Sequence, residues 1–301
     1  MLFSYCGLKI RADCGIIGKE NYVRDLLAQI GIFGVDRMDN VNKTLYIPLY
    51  GKAFVSRKNI ILKDKKAEEI WEKEKFPLKG RSKSKWLAYY MGMRSAVFDK
   101  WVNDRMSVMD DPVVIHIGCG MDSRINRVEQ KYYIWYDVDF PEVIKERKRY
   151  FLENANYHML CADVRDPDWL RDIRENRNAI IVMEGVSMYI STEDLKKVIR
   201  SISDHFSNIH ILMDCYSVFA AKMSAVKNPI NDVGGAVVYG IDDPTELEDN
   251  TGISFVKEHE ITPHSLIDEL HGIEKVVFKK LYAGKISRKT YRLYEFMKAY
   301  D

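Results

Sequence analysis

The chain has 301 residues, enough for one large α/β domain or two smaller ones with a substantial buried core. Its 46 Lys and Arg against 44 Asp and Glu leave a formal charge of +2, so no general field attracts a polyanion, and 47% hydrophobic with 30% charged residues is ordinary soluble composition. Cys6, Cys14, Cys119, Cys161 and Cys215 are scattered, with no CxxC pair and no His at ligand spacing, which points to a reduced, cytoplasmic protein without a structural zinc. No apolar run approaches the ~20 residues of a membrane span. The start, MLFSYCGLKIRADCG, lacks the basic and long apolar regions of a signal peptide.

Residues 1 to about 40 show no sustained pattern beyond a short helix expected around Asn21 to Ile30, and Met38 is an alternative start. The run KTLYIPLYGKAFVSRKNIILKDKKAEEIWEKEK carries a Pro-interrupted apolar stretch, then a helix expected from about Asp64 to Lys75 with Asp64 as its N-cap. From Ser84 to about Met109, Trp86, Leu87, Tyr90, Met93, Val97, Trp101 and Met106 recur at helical spacing and predict one long helix. Short β-like runs follow at 113–117, 133–138, 157–161, 179–183 and 209–214, alternating with helix candidates near Asp122, at Pro141, near Asp166 and at Thr192. Strands apolar on both faces and spaced by helices imply right-handed βαβ units and a parallel, doubly wound sheet, which binds ligands beyond the carboxyl ends of its strands. Residues 216–250 read as a loop-rich insertion, and VVFKKLYAG with SRKTYRLYEFMKAY as two strands joined through Gly284, the antiparallel end of the sheet.

The chemical signal lies at the strand ends. VVIHIGCGMDSR, Val113 to Arg124, closes on Gly118 and Gly120, a turn that lets backbone approach a ligand closely. A dinucleotide fingerprint needs a third glycine where Ser123 stands, so a pyrophosphate at a helix N-terminus is disfavoured; Asp122 would repel phosphate and tolerate a cation. Asp139 ends the second strand and can accept both hydrogen bonds of a ribose diol, as in sites for NAD and S-adenosylmethionine (SAM). After the third strand Asp163 can accept from an adenine amino group while the Val164 N–H donates to a ring nitrogen, and Glu184 follows the fourth. Acids therefore follow four consecutive strands, with no basic residue fixed among them except Arg124 and Arg165, which suits a cofactor carrying a sulfonium and an ammonium. Taken singly, each acid reads equally well as a helix N-cap. Cys119, with no His partner, reads as a small buried residue, and His116 as a core residue of the first strand.

The runs RSAVFD (Arg94 to Asp99), VVIHIGCGMDSR, YDVDFPEVI, ADVRD and EGVSMY, with TLYIPLYGKA upstream, resemble the leucine carboxyl methyltransferase family, which also contains tetracenomycin-type polyketide O-methyltransferases. The resemblance runs in order from about Lys43 to Glu193. It implies an α/β class I SAM-dependent methyltransferase: a doubly wound, mostly parallel, seven-stranded Rossmann-like sheet with an antiparallel C-terminal strand and N-terminal helical additions. Residues 1–110 would be the helical extension or lid and 111–301 the SAM-binding core, with a substrate-side insertion at about 216–250.

Carried over by position, the resemblance places Gly118 with its loop, including Gly120 and Asp122, along the methionine part of SAM. Asp139 would face the ribose, Asp163 and Val164 the adenine, and Glu184 the methionine ammonium, while Arg94 and Lys52 would meet its carboxylate and Tyr189 the methyl-accepting site. The acceptor would be a carboxylate or hydroxyl oxygen of a small molecule, polyketide-like or another acid, or of a protein C-terminus; the small molecule is favoured, and no metal, nucleic acid or membrane partner is expected. The alternatives are an NAD-dependent oxidoreductase, disfavoured by Ser123 and the lack of a Tyr-x-x-x-Lys pair at a strand end, and a SAM-binding regulator without activity. Cys119 and Ser123 depart mildly from the family pattern. Residues 1–40 and 216–250 match nothing in it, which leaves the acceptor open. Arg94→Ala is expected to weaken SAM binding severely with the fold intact.

Overall fold

The computed structural model of the chain describes residues 45–74, 78, 80–129, 131–174, 177–224 and 237–298. These belong to one compact unit, Met38–Asp301. The helix expected around Asn21 to Ile30 and the NPINDVGG run lie outside the described residues.

Among the described residues, three α-helices precede the sheet. The first, α1 (Tyr46–Arg57), forms across the stretch that proline was expected to interrupt. Pro48 falls in its first turn, where a missing N–H has no partner to lose. The second, α2 (Lys65–Glu74), starts at Asp64, whose Oδ1 accepts from the Ala67 N–H at 2.8 Å, the expected cap. The third, α3 (Lys85–Met106), is capped by the Ser84 hydroxyl, which accepts from the Trp86 N–H. Its Phe98, Trp101 and Met106 share one buried cluster with Leu49 and Ala53 of α1, Ala67 and Ile70 of α2, and the sheet residues Val114, Trp135, Ile180 and Leu212.

The sheet consists of β1 (Val113–Ile117), β2 (Ile134–Asp139), β3 (Tyr157–Cys161), β4 (Asn178–Met183), β5 (Asn208–Tyr216), β6 (Ser254–Glu258) and β7 (Tyr291–Lys298), in the seven-stranded order β3-β2-β1-β4-β5-β7-β6. Strands β1 to β5 pair in parallel, and β7 runs antiparallel to both β5 and β6. Alternation along β1 separates the two faces. Val113, Ile115 and Ile117 join a cluster with Leu195, Val198, Ile199 and Ile202 of a helix at Thr192–His205, while Val114 faces the N-terminal helices. The architecture is the doubly wound, mostly parallel sheet that the strand pattern predicts.

Local departures have physical causes. The turn near Asp122 makes only a short 3-10 stretch, Arg124–Asn126, where the side chains turn inward, Asp122 and Arg124 into ion pairs and Ser123 into a hydrogen bond to Asp64. The segment near Asp166 is likewise a 3-10 turn, Pro167–Asp172, whereas the helix at Pro141 forms as expected (Pro141–Arg147). The VVFKKLYAG segment is not a strand: Gly272–Leu281 is a helix. A run of β-branched residues misleads there; Phe278 is buried beside Tyr89, Ile267 and Leu270, and Ile273 and Val276 turn outward. The sheet takes its outer strand instead from Ser254–Glu258, within ISFVKEHE. Within 216–250, β5 continues to Tyr216 and is followed by a short helix, Val218–Ser224. Among the described residues, no helix is long and apolar enough to cross a membrane.

Candidate functional site

Strand register builds the site. Ile117 pairs with Val138 and with Met183, and Met183 with Met213. One residue further on, Gly118, Asp139, Glu184 and Asp214 therefore stand in a row at the carboxyl ends of four adjacent strands. Only the first three were anticipated; Asp214 closes the run IHILMD in the same way and could have been read from it.

Gly118 and Gly120 have φ of +63° and +51°, the left-handed region that favours glycine. A Cβ on Gly118 would stand 2.1 Å from Val186 Cγ2, so the loop closes tightly onto the segment after β4. The Gly120 N–H donates to Asp139 Oδ2 and the Phe140 N–H to Oδ1, both at 2.8 Å. Neither bond caps the following helix, which starts at Pro141. Burial raises the Asp139 carboxyl to about 6 even though these two donors oppose it. From behind, the Arg147 Nη1 donates to the Gly120 carbonyl at 3.0 Å while its Nη2 pairs with the fully buried Asp137.

Arg94 enters from α3. Its Nε donates to Glu184 Oε1 at 3.0 Å, and its Nη1 to Asp214 Oδ2 at 2.9 Å and to the Tyr291 hydroxyl at 2.8 Å. Its Nη2 has no hydrogen bond to another described residue and lies 3.4 Å from where a Cβ on Gly185 would be. Burial works against the charge, yet Tyr291, Asp214 and Glu184 hold Arg94 well above its ordinary range. Arg94 makes no pair with Asp99 or Asp104 of its own helix. Asp99 serves Arg124 and Arg127, and Asp104 serves Lys100.

Lys52, from α1, is buried and lies 3.0 Å from Asp122. Asp122 also meets Arg127 at 2.9 Å and Arg124 at 3.5 Å. Burial disfavours its charge, but Arg127, Lys52 and Arg124 hold it well below the carboxylate range. Two expectations are corrected here. Asp122 is not an open acid awaiting a cation, and the strand-end acids are not short of bases. Lys52, Arg94, Arg124 and Arg127 interleave with Asp99, Asp122, Glu184 and Asp214, because helices that precede β1 in sequence lay their basic side chains over the strand ends.

Glu184 is gripped by Arg94 and Arg124; burial alone would raise its pKa, but these two guanidiniums lower it to about 2. Asp163 is half-exposed and pairs with Arg165 at 2.5 Å. The neighbouring Val164 N–H has no acceptor among the described residues, and its side chain packs on the sheet core. Tyr189 ends a 3-10 turn, Ser187–Tyr189, and is half-buried. The Tyr239 N–H donates to the Met188 carbonyl at 2.8 Å, which brings the 237–242 stretch alongside this turn. Sequence reasoning missed Asp64, Ser95, Asp99, Arg127, Asp214 and Tyr291; apart from Asp214, their spacing carries no signal of the site.

His116 is 1% exposed, and burial lowers its pKa, so it is a neutral core residue as expected. Burial likewise pushes the Cys119 thiol well up, leaving no activated nucleophile there. Among the described residues no group of three or more His, Cys, Asp or Glu is placed to hold a metal ion. Ser123 Oγ donates to Asp64 Oδ1 at 2.5 Å, and no α-helix begins after the Gly118 loop to receive a pyrophosphate.

The family model of the leucine carboxyl methyltransferases matches residues 37–203. The chain belongs to this family. It is a SAM-dependent methyltransferase, and the oxidoreductase alternative is set aside. The tetracenomycin polyketide synthesis O-methyltransferase TcmP of Streptomyces glaucescens is 27% identical to the methyltransferase over 244 residues, covering 80% of this chain and 90% of TcmP. The SAM-dependent methyltransferase dpfgK of Gibberella zeae is 30% identical over 183 residues, covering 56% and 61% of the two chains. Among solved structures, magnesium protoporphyrin IX methyltransferase (ChlM) from Synechocystis PCC 6803 with bound SAH superposes with a TM-score of 0.47 at 9% identity, over 78% of this chain and 93% of that one.

Proposed function

We propose that this methyltransferase transfers the methyl of SAM to an oxygen, carboxylate or hydroxyl, of a small apolar molecule rather than of a protein C-terminus. The observation that carries the cofactor assignment is the Arg94 Nη2. It is a guanidinium donor without an acceptor among the described residues, beside a side-chain-free Gly185, in a cluster whose acids are otherwise paired. Such a cluster fits a zwitterion, which brings one charge of each sign.

When bound, SAM supplies a methyl already activated on a sulfonium. Arg94 Nη2 would hold the methionine carboxylate, with Lys52 as a second contact, and Glu184 the ammonium. The Gly118–Gly120 loop, with Asp122 held by Lys52, would flank the methionine part. Asp139 would accept from the ribose diol, and Asp163 with the Val164 N–H would hold the adenine. The remaining work of the protein is alignment and exclusion of water, with the acceptor oxygen about 3 Å from the methyl carbon. A carboxylate acceptor needs no general base, being ionised at neutral pH. A phenol or enol gains from donors that lower its pKa, and Tyr189, at the end of the 3-10 turn after β4, would be such a donor.

The small-molecule reading is supported by the polyketide O-methyltransferase likeness over most of the chain, and by apolar side chains beyond the end of β5. Phe219, Met223 and Tyr239 are 60%, 48% and 40% exposed there. The free thiols Cys119 and Cys215 support a cytoplasmic location, and the formal +2 charge supports the lack of a nucleic-acid or membrane partner. The test is incubation with radiolabelled SAM and host extract. Label is expected in the small-molecule fraction; label in protein would move the acceptor to a protein, and label in neither would favour the regulator.

A further inference from the structure

Two arginines from the turn after β1 hold the acids of the site. Arg124 is fully buried. Its Nε donates to Asp99 Oδ1 at 2.7 Å, and its Nη2 to Glu184 Oε2 and to Ser95 Oγ at 3.3 Å. Its Nη1 lies 3.3 Å from His116 Nε2, and its guanidinium carbon 5.3 Å from the centre of the Phe98 ring. The fork is thus engaged on α3, on β1 and at the end of β4 together. Arg127 does the same for Asp122, anchored on Asp99 at 2.6 Å and Asp64 at 2.5 Å.

A guanidinium facing a carboxylate ordinarily closes two parallel N–H···O bonds. Arg94 closes only one on Glu184, through Nε to Oε1, while Oε2 accepts from Arg124 and, at 3.5 Å, from the Ser95 hydroxyl, so that both of its acceptor positions are occupied. The nitrogen left out of that fork is the Nη2 beside Gly185.

We propose that Arg124 is a positioning residue of the cofactor site: by holding Glu184 Oε2 it keeps Arg94 from a two-bond pair with the same carboxylate, and so leaves Arg94 Nη2 for the methionine carboxylate of SAM. This rests on the assignment of Arg94 and Glu184 made above. Asp99 anchors Arg124 from α3, so the N-terminal helices shape the cofactor site through Arg124 as well as through their own Lys52 and Arg94.

The experiment compares two ligands by calorimetry. S-adenosylhomocysteine carries the amino-acid end, whereas 5′-methylthioadenosine keeps adenine and ribose and lacks that end. Arg124→Met is expected to weaken S-adenosylhomocysteine by about thirtyfold and methylthioadenosine by less than about twofold, with Arg124→Lys between wild type and Arg124→Met. Ser95→Ala, which removes the hydroxyl that Arg124, Arg127 and Glu184 Oε2 share and so loosens the hold on that oxygen, is the gentler variant and is expected to show a selective loss of about threefold. It carries the test if the Arg124 variants do not fold. Equal losses on both ligands would show a merely structural role and overturn the proposal, as would unchanged S-adenosylhomocysteine affinity. A wild-type protein that binds both ligands equally would overturn the underlying assignment of Arg94 and Glu184, and is recognised without any variant.

Discussion

Gly120 and Asp139 are joined by a 2.8 Å hydrogen bond from the glycine N–H to the aspartate Oδ2, which ties the loop after β1 to the end of β2. The carboxylate proposed to hold the ribose thereby also fixes the loop proposed to cradle the methionine, so cofactor affinity and loop order depend on one ionisable group.

That group titrates close to neutrality. Its pKa is raised by burial to about 6, so the ionised form predominates above that pH and the proton is taken up as pH falls through it. A protonated Asp139 is a poorer acceptor for a diol. Affinity for methylthioadenosine, which has no amino-acid end to titrate, is expected to fall as pH drops below about 6, approaching tenfold per pH unit. In Asp139→Asn the affinity should be weak and flat across the same range. A wild-type profile without this fall would remove Asp139 from the ribose site.

Arg94 is too deeply paired for a clean alanine test. Removing it leaves Glu184 and Asp214 facing each other's charge with Asp214 fully buried, and an uncompensated buried charge costs about 3–5 kcal/mol. Arg94→Ala is therefore expected to lower the melting temperature as well as abolish SAM binding, which revises the expectation of an intact fold. Arg94→Lys keeps the charge without the fork. A near-native melting temperature with SAM affinity reduced by about a hundredfold is expected from thermal shift and calorimetry.

Gly118→Ala meets two obstacles, a φ of +63° and a Cβ 2.1 Å from Val186 Cγ2. The clash and the backbone strain together are expected to destabilise the protein by about 2–4 kcal/mol in urea unfolding. Adding Val186→Ala removes the clash and leaves about 1–2 kcal/mol of backbone strain. A double variant no more stable than Gly118→Ala would show that the close approach to Val186 is unimportant.

Asp137 and Arg147 form a fully buried pair beneath the same loop. Asp137 is lowered to about 2, against burial, by Arg147 and by bonds from His116 and Tyr157. A depressed carboxylate pKa contributes stability that is present above the ordinary value of 3.8 and is lost as pH falls through about 2. Asp137→Asn strands Arg147 and is expected to lose about 3 kcal/mol at neutral pH by urea unfolding. The gap from wild type should narrow as pH drops below 3.8. A gap that does not change with pH would show that the pair contributes through packing rather than charge.

The strands and their carboxyl-end acids were legible because they depend on local facts: apolar runs, Pro141 at a helix start, glycines and acids at the run ends. The VVFKKLYAG run reads as a strand because Val, Val and Phe fit either structure; Phe278 docking beside Tyr89 settles Gly272–Leu281 as a helix. The electrostatics of the site was misread for a related reason. The sequence shows which residues follow each strand, and by itself it determined the five parallel strands, the Gly118 loop and the positions of Asp139 and Glu184. Only the tertiary structure decided that α1 and α3 carry Lys52 and Arg94 over those strand ends, and that Arg124 and Arg127 turn inward beneath them. Ion pairing depends on distance in space, and Lys52 from Asp122, Arg94 from Glu184 and Arg124 from Glu184 are separated along the chain by whole helices, so no local pattern records these pairings.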